Sequence, residues 1–211
     1  RVRERVRVYR NLWGRSPEEF ADSAKEAISN SMTAVKVSPA GPTPDVISRV
    51  QLDEMEAVVS AVRDAVGPAV DLAIDLHGRL TPAASRRAIH ALSKYDPFFI
   101  EEPCLPDGSA SHLADLRALR TAQPVAIATG ERLRSAHAFA EHLLPSPVVD
   151  IIQPDVSMVG GIRASVEIGA MASAAQVAMA PHCPYGPVQF AASMQVAATS
   201  PAHLIQEFQS L

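Results

Sequence analysis

The sequence predicts an α/β barrel, and three observations carry that prediction. Short β-branched runs alternate with longer Ala-, Leu- and Arg-rich stretches along all 211 residues, the pattern of parallel β/α units. Eight such runs enclose seven helical stretches, and eight strands close naturally into a barrel. An open, doubly wound sheet has the same alternation, but no G-x-G-x-x-G follows an early strand to support it. The length suits a single barrel domain over residues 1–211.

The elements follow in order. RVRVYR (5–10) sets Val6 and Val8 between charges, as in a strand with one buried face. The helix over 17–29 is announced by Ser16, Pro17, Glu18 and Glu19: a cap, a first-turn proline and two acids. TAVKVS (33–38) forms the second strand. The irregular stretch SPAGPTPDVIS (38–48) makes a loop over the barrel mouth before a helix over 51–66. VDLAIDLHG (70–78) is the third strand, and Thr81-Pro82 repeats the cap-plus-proline start for a helix over 82–95. PFFIEEP (97–103), PVAIATGE (124–131), VVDIIQPD (148–155) and VAMAPH (177–182) precede helices over 111–121, 135–144, 161–175 and 187–198. HLIQEF (203–208) is the eighth strand.

A formal net charge of −4 gives no electrostatic footprint for nucleic acid. No apolar run reaches about 18 residues, so neither a membrane span nor a signal peptide is read. Cys104 and Cys183 lack motif spacing, which suits free thiols in a reducing, cytoplasmic compartment. Cys183 is read as an inert thiol. The glycine pair Gly160-Gly161 is read as a place of close packing, because barrel phosphate loops follow the seventh and eighth strands.

In barrels of this kind the working residues lie at the C-terminal ends of the strands. Those ends carry Lys36, Asp75 with His77, Glu101 with Glu102, Glu131, Asp155, His182 and Glu207, while the strand bodies are apolar. From Asp75 onward the steps between them run from 24 to 30 residues, about one β/α unit each. The groups should therefore ring one mouth. Asp75, Glu101 and Glu131 on three adjacent strands cannot all stay ionised without a cation. An all-oxygen donor set suits a hard ion such as Mg²⁺. Asp155 falls beside His182, and a carboxylate on one imidazole nitrogen raises the basicity of the other, as a general base requires. Asp75 and His77, two apart on a strand, should share a face. A metal pair, an acid/base pair and a hydrogen-bonded pair are all open there.

DLHGR (75–79), FIEEP (99–103), ATGERL (128–133), IIQPDVSMVGGI (151–162), APHCPYGP (180–187) and LIQEF (204–208) together resemble the enolase superfamily. The likeness is to its mandelate racemase branch, and within that to galactonate dehydratases and other acid-sugar dehydratases. The resemblance implies a (β/α)7β TIM-like barrel, with Mg²⁺ on Asp75, Glu101 and Glu131 chelated by the carboxylate of an aldonic acid. It implies that His182, paired with Asp155, removes the α-proton, and that His77 protonates the departing β-hydroxyl to give a 2-keto-3-deoxy acid. Glu207 would hydrogen-bond the substrate carboxylate end and Lys36 would help neutralise it. The pair in DLHGR is then divided between metal and leaving group, and is read as neither a two-ligand metal site nor a structural hydrogen bond. Racemases of the branch carry Lys-x-Lys on the second strand, whereas Lys36-Val37-Ser38 stands here, which favours elimination over racemisation or cycloisomerisation. Gluconate or mannonate are the alternative substrates. Family members also have an α+β capping domain that closes the mouth, which this chain is expected to lack; a non-catalytic barrel fragment without its cap is the further alternative. The expected partners are a small-molecule acid sugar and further copies of the chain in a homo-oligomer.

Overall fold

The computed structural model describes residues 2–41, 46–105 and 110–209. Part of the expected mouth loop, residues 42–45, lies outside the described residues. The order is β1 (Val8–Asn11), α1 (Pro17–Ser29), β2 (Ala34–Val37), α2 (Arg49–Val66), β3 (Asp71–Asp75), α3 (Pro82–Leu92), β4 (Ile100–Glu101), α4 (Ala110–Ala122), β5 (Ile127–Thr129), α5 (Ala136–Leu143), β6 (Ile151–Ile152), α6 (Ile162–Ala174), β7 (Ala178–Met179), α7 (Pro187–Thr199) and β8 (Gln206–Phe208). One 3₁₀ turn, Ser93–Tyr95, follows α3. The predicted alternation is thus present, with a strand or a helix wherever the sequence places one.

Helix starts are set by local chemistry. Ser16 accepts the Glu19 N–H and Thr81 accepts the Ala84 N–H, each followed by proline in the first turn. Ser48 and Gln51 form a reciprocal capping box at α2. Ser135 caps α5 through the Ala138 N–H. Gly161 and Gly186 precede α6 and α7 without a side-chain cap. A Cβ at Gly161 would meet nothing within 4 Å, while φ is +94°. Close packing is therefore not what requires glycine there; the left-handed backbone is.

The chain divides into two compact units, one of residues Arg10–Ile127 and one of Arg1–Tyr9 with Ala128–Leu211. They are called here the central and the flanking unit. In the central unit the end of β1 pairs with β2, β2 with β3 and β3 with β4, all parallel. Val35, Val37, Leu72, Ile74, Phe99 and Ile100 are fully buried among these strands. Helix α2 buries Leu52, Met55, Val59, Val62 and Val66, the three-and-four spacing of one helical face. Arg63, on the last turn of α2, donates to four carbonyls: Tyr95, Gly67, Val70 and Asp96. It joins the helix end to the residues entering β3 and β4.

In the flanking unit β5 pairs with β6 and β6 with β7, again in parallel. Met179 bridges to His203, and Gln206 donates its N–H to the Arg7 carbonyl just before β1. The Arg3 guanidinium donates to the Ala197 and Ser200 carbonyls at the end of α7. No helix among the described residues is long and apolar enough to cross a membrane.

The strands are shorter than the apolar runs that predict them. β6 and β7 have two residues each and β5 three. Glu131, Asp155 and His182 therefore lie two or three residues past the last paired residue, on the loops, rather than in the strands themselves.

Candidate active site

In the central unit the register sets Asp75 directly beside Glu101, as the last residues of β3 and β4. Both carboxylates are buried, at 2% and 0% exposure, and Lys36 of β2 is buried with them. Lys36 Nζ lies 2.8 Å from Glu101 Oε2 and 3.8 Å from Asp75 Oδ2. Burial pushes the Asp75 carboxyl up, but the Lys36 ammonium and the hydrogen bonds from His77 outweigh it and hold it below the ordinary value.

His77 reaches Asp75 by a route the sequence did not indicate. β3 ends at Asp75, and His77 takes a left-handed conformation with φ +52°. Its N–H donates to Asp75 Oδ1 at 2.7 Å, and its Nε2 lies 3.0 Å from Asp75 Oδ2. The expectation of a shared strand face is corrected: a turn, closed by the carboxylate itself, brings the two together. So is the expectation that no hydrogen bond joins them. The imidazole stays partly open to solvent, at 37% side-chain exposure, while its partner is buried.

In the flanking unit the loop after β5 holds Glu131, and Gly130 decides its approach. φ at Gly130 is +134°, and a Cβ would come within 2.8 Å of the Phe139 ring and 3.0 Å of the Gln153 nitrogen. Only glycine fits there. Glu131 Oε2 lies 3.4 Å from His182 Nε2, and its Oε1 lies 3.2 Å from Arg132. On its other side His182 Nδ1 meets Asp155 Oδ2 at 2.8 Å. Asp155 is fully buried, and its Oδ1 accepts from the Ser157 N–H at 2.7 Å and from Gln189 Nε2 at 2.8 Å. Burial pushes Asp155 up, but the donors from His182, Ser157 and Gln189 overcome it and leave the carboxyl lowered.

β8 holds the backbone on either side of this histidine. Glu207 Oε2 accepts the Cys183 N–H, and Gln206 Nε2 donates to the Pro181 carbonyl at 3.2 Å. Ser193 of α7 in turn donates to Gln206 Oε1 at 2.8 Å. Burial, with the charges of Glu207 and Asp155, pushes the Cys183 thiol up to about 12, so it stays protonated at neutral pH. That agrees with an inert thiol.

The structure therefore gathers the sequence-predicted residues into two groups. Lys36, Asp75, His77 and Glu101 meet in the central unit; Glu131, Asp155 and His182, with Glu207 behind His182, meet in the flanking unit. In the central unit Asp75 and Glu101 each offer a carboxylate oxygen to a metal ion, and in the flanking unit Glu131 offers one. Hard oxygen donors, two of them buried beside a single ammonium, fit a hard divalent cation. Gln189 and Gln206 were missed. Their only sequence signal is a carboxamide within the apolar stretches PVQFAAS and LIQEF.

Parallel β/α alternation with ionisable residues at or just beyond the strand ends is the pattern of the α/β-barrel class. The family model described as "Enolase C-terminal domain-like" matches residues 19–210, and the chain belongs to that family. It is 38% identical over 204 residues to a "D-gluconate dehydratase" of Thermoproteus tenax, covering 95% of this chain and 40% of that protein. It is 35% identical over 207 residues to a "D-galactonate dehydratase" of Variovorax paradoxus, covering 98% and 53%. A solved "mandelate racemase/muconate lactonizing enzyme" from Sulfitobacter sp. aligns with a TM-score of 0.92 at 35% identity, over 100% of this chain and 56% of the other. The fold is thus the TIM-like barrel class expected from the sequence, and the chain spans about half the length of the relatives it matches.

Proposed function

We propose that this chain supplies the metal- and base-bearing part of an acid-sugar dehydratase. It converts an aldonic acid, galactonate first among them, to a 2-keto-3-deoxy acid. The observation that carries the reading is the 2.8 Å contact between His182 Nδ1 and the buried Asp155 carboxylate. An ionised carboxylate only accepts, so Nδ1 keeps its proton and Nε2 carries the lone pair that takes the α-proton. Once on Nε2, that proton faces Glu131 Oε2 at 3.4 Å. Asp75, Glu101 and Glu131 would hold a Mg²⁺ ion. When bound, the ion offsets the negative charge that develops on the substrate carboxylate as the α-proton leaves.

His77, partly exposed on its turn, donates a proton to the departing β-hydroxyl. Asp75 accepts its backbone N–H and lies 3.0 Å from its Nε2, which holds the ring in place. Lys36 adds positive charge beside the acids. Glu207 and Gln206 keep the 181–183 backbone from shifting when His182 changes protonation. Gluconate is the second candidate substrate, favoured by the 38% identity to the Thermoproteus tenax relative. The two buried cysteines form no disulfide, which suits a cytoplasmic setting.

The test incubates the full-length protein with a panel of aldonic acids, with and without Mg²⁺, and assays 2-keto-3-deoxy products. Turnover of one acid, dependent on Mg²⁺, is expected; no turnover of any acid overturns the reading. His182→Asn should abolish exchange of the α-proton with solvent deuterium. His77→Asn should preserve exchange and stop dehydration.

A further inference from the structure

We propose that Gln189 is a positioning residue for the base: its carboxamide locks the Asp155 carboxylate so that His182 is held with its proton on Nδ1. The proposal rests on the reading of His182 as the base. Gln189 is in the first turn of α7 and is 7% exposed. Both ends of its carboxamide are engaged. Nε2 donates to Asp155 Oδ1 at 2.8 Å, and Oε1 accepts the Tyr185 N–H at 2.9 Å.

The direction of that amide is fixed by chemistry. A backbone N–H can only donate, and an ionised carboxylate can only accept, so the oxygen must face Tyr185 and the nitrogen must face Asp155. Asp155 then has three donors from three places: His182 on Oδ2, and the Ser157 N–H and Gln189 on Oδ1. The terminal torsion of an aspartate is broad and roughly two-fold. With Ser157 alone on Oδ1, the carboxylate plane is free to rock; with Gln189 added, it is pinned and Oδ2 stays aimed at Nδ1. The same side chain also folds the loop that carries Tyr185, whose ring stands edge-on to His182 at 6.1 Å between centroids.

The plain alternative is a helix cap. Gly186 has no side chain to cap α7, and Gln189 reaching back to the Tyr185 N–H serves that need. Gln189→Glu separates the two roles. It keeps an acceptor for the Tyr185 N–H, with a charge suited to a helix start. It also replaces the donor toward Asp155 by a second carboxylate oxygen.

In the full-length protein, Gln189→Glu should lower kcat about 10–100-fold, the usual cost of losing an outer partner in such a site, with KM changed less than about threefold. Nitrogen-15 NMR of histidine-labelled protein should show His182 as the Nδ1–H tautomer in the wild type and a mixture in the variant. Gln189→Met, uncharged and of similar length, removes both contacts and should give the same two results; should Gln189→Glu not fold, it takes its place and the tautomer decides, since loss of a cap alone leaves the proton on Nδ1. Wild-type kcat, within about twofold, together with an unchanged tautomer in a folded variant, overturns the proposal and leaves Gln189 a cap. Failure of the wild type to turn over any aldonic acid overturns the dehydratase reading instead, and the tautomer measurement still decides the role of Gln189.

Discussion

Lys36→Met tests how the buried acids of the central unit are balanced. The ammonium lies 2.8 Å from Glu101 and 3.8 Å from Asp75, and all three side chains are at most 4% exposed. At an effective dielectric constant of about 20, these separations correspond to attractions of about 6 and about 4 kcal/mol. Desolvation of the three ions cancels most of that. Removing the cation alone takes the ammonium away from two buried carboxylates, at a cost of about 3–5 kcal/mol. For a domain of this size each kcal/mol moves Tm by about 2–4 °C, so Tm should fall by about 6–20 °C. Mg²⁺ should restore part of it. The ligand adds about 2.7 kcal/mol at roughly 100 times its Kd, and the variant no longer holds a competing ammonium against the same oxygens. Differential scanning calorimetry of both proteins, with and without Mg²⁺, reads both effects. A drop of less than about 2 °C, or a Mg²⁺-induced rise no larger than the wild type's, refutes the reasoning.

Three further perturbations probe the frame. Burial, with the Arg3 charge beside it, pushes His203 down to about 4. A lowered histidine gives full stability above its unfolded value of about 6.5 and loses it as pH falls toward 4, about 2 kcal/mol between pH 7 and pH 5. His203→Leu should flatten the urea midpoint across that range, and parallel curves for variant and wild type would contradict the assignment. Arg63→Met removes four bonds to carbonyls and should cost about 2–3 kcal/mol by chemical denaturation; a loss under about 0.5 kcal/mol would show that water replaces them freely. Gly130→Ala forces a Cβ to within 2.8 Å of Phe139 at φ +134°. It should cost about 2–4 kcal/mol and reduce dehydration, because Glu131 follows directly; unaltered stability would mean that Phe139 and the loop give way.

The alternation of elements was legible because several helix starts carry their own local signal: Ser16-Pro17 and Thr81-Pro82 act within one turn and need no tertiary partner. The acids and the histidine were legible because an ionisable residue closing an apolar run has few reasons to be there. Strand lengths were not, since β6 and β7 stop pairing after two residues although the apolar pattern continues. The turn at His77 was hidden for a related reason. A left-handed φ on a non-glycine residue is disfavoured locally and is held here by Asp75. Gln189 and Gln206 stayed invisible because their roles exist only across elements, through Asp155 and Pro181.

The grip of β8 on the His182 backbone also has a consequence in time. Glu207 and Gln206 bind Cys183 and Pro181 from beyond α7. On the ribosome, at about 5–20 residues per second, the histidine emerges some seconds before the residues that hold it. A nascent chain therefore passes through an interval in which His182 is already synthesised but the β8 contacts to its neighbours are not yet made. The order of synthesis thus leaves the backbone on either side of His182 without these two contacts until the eighth strand arrives.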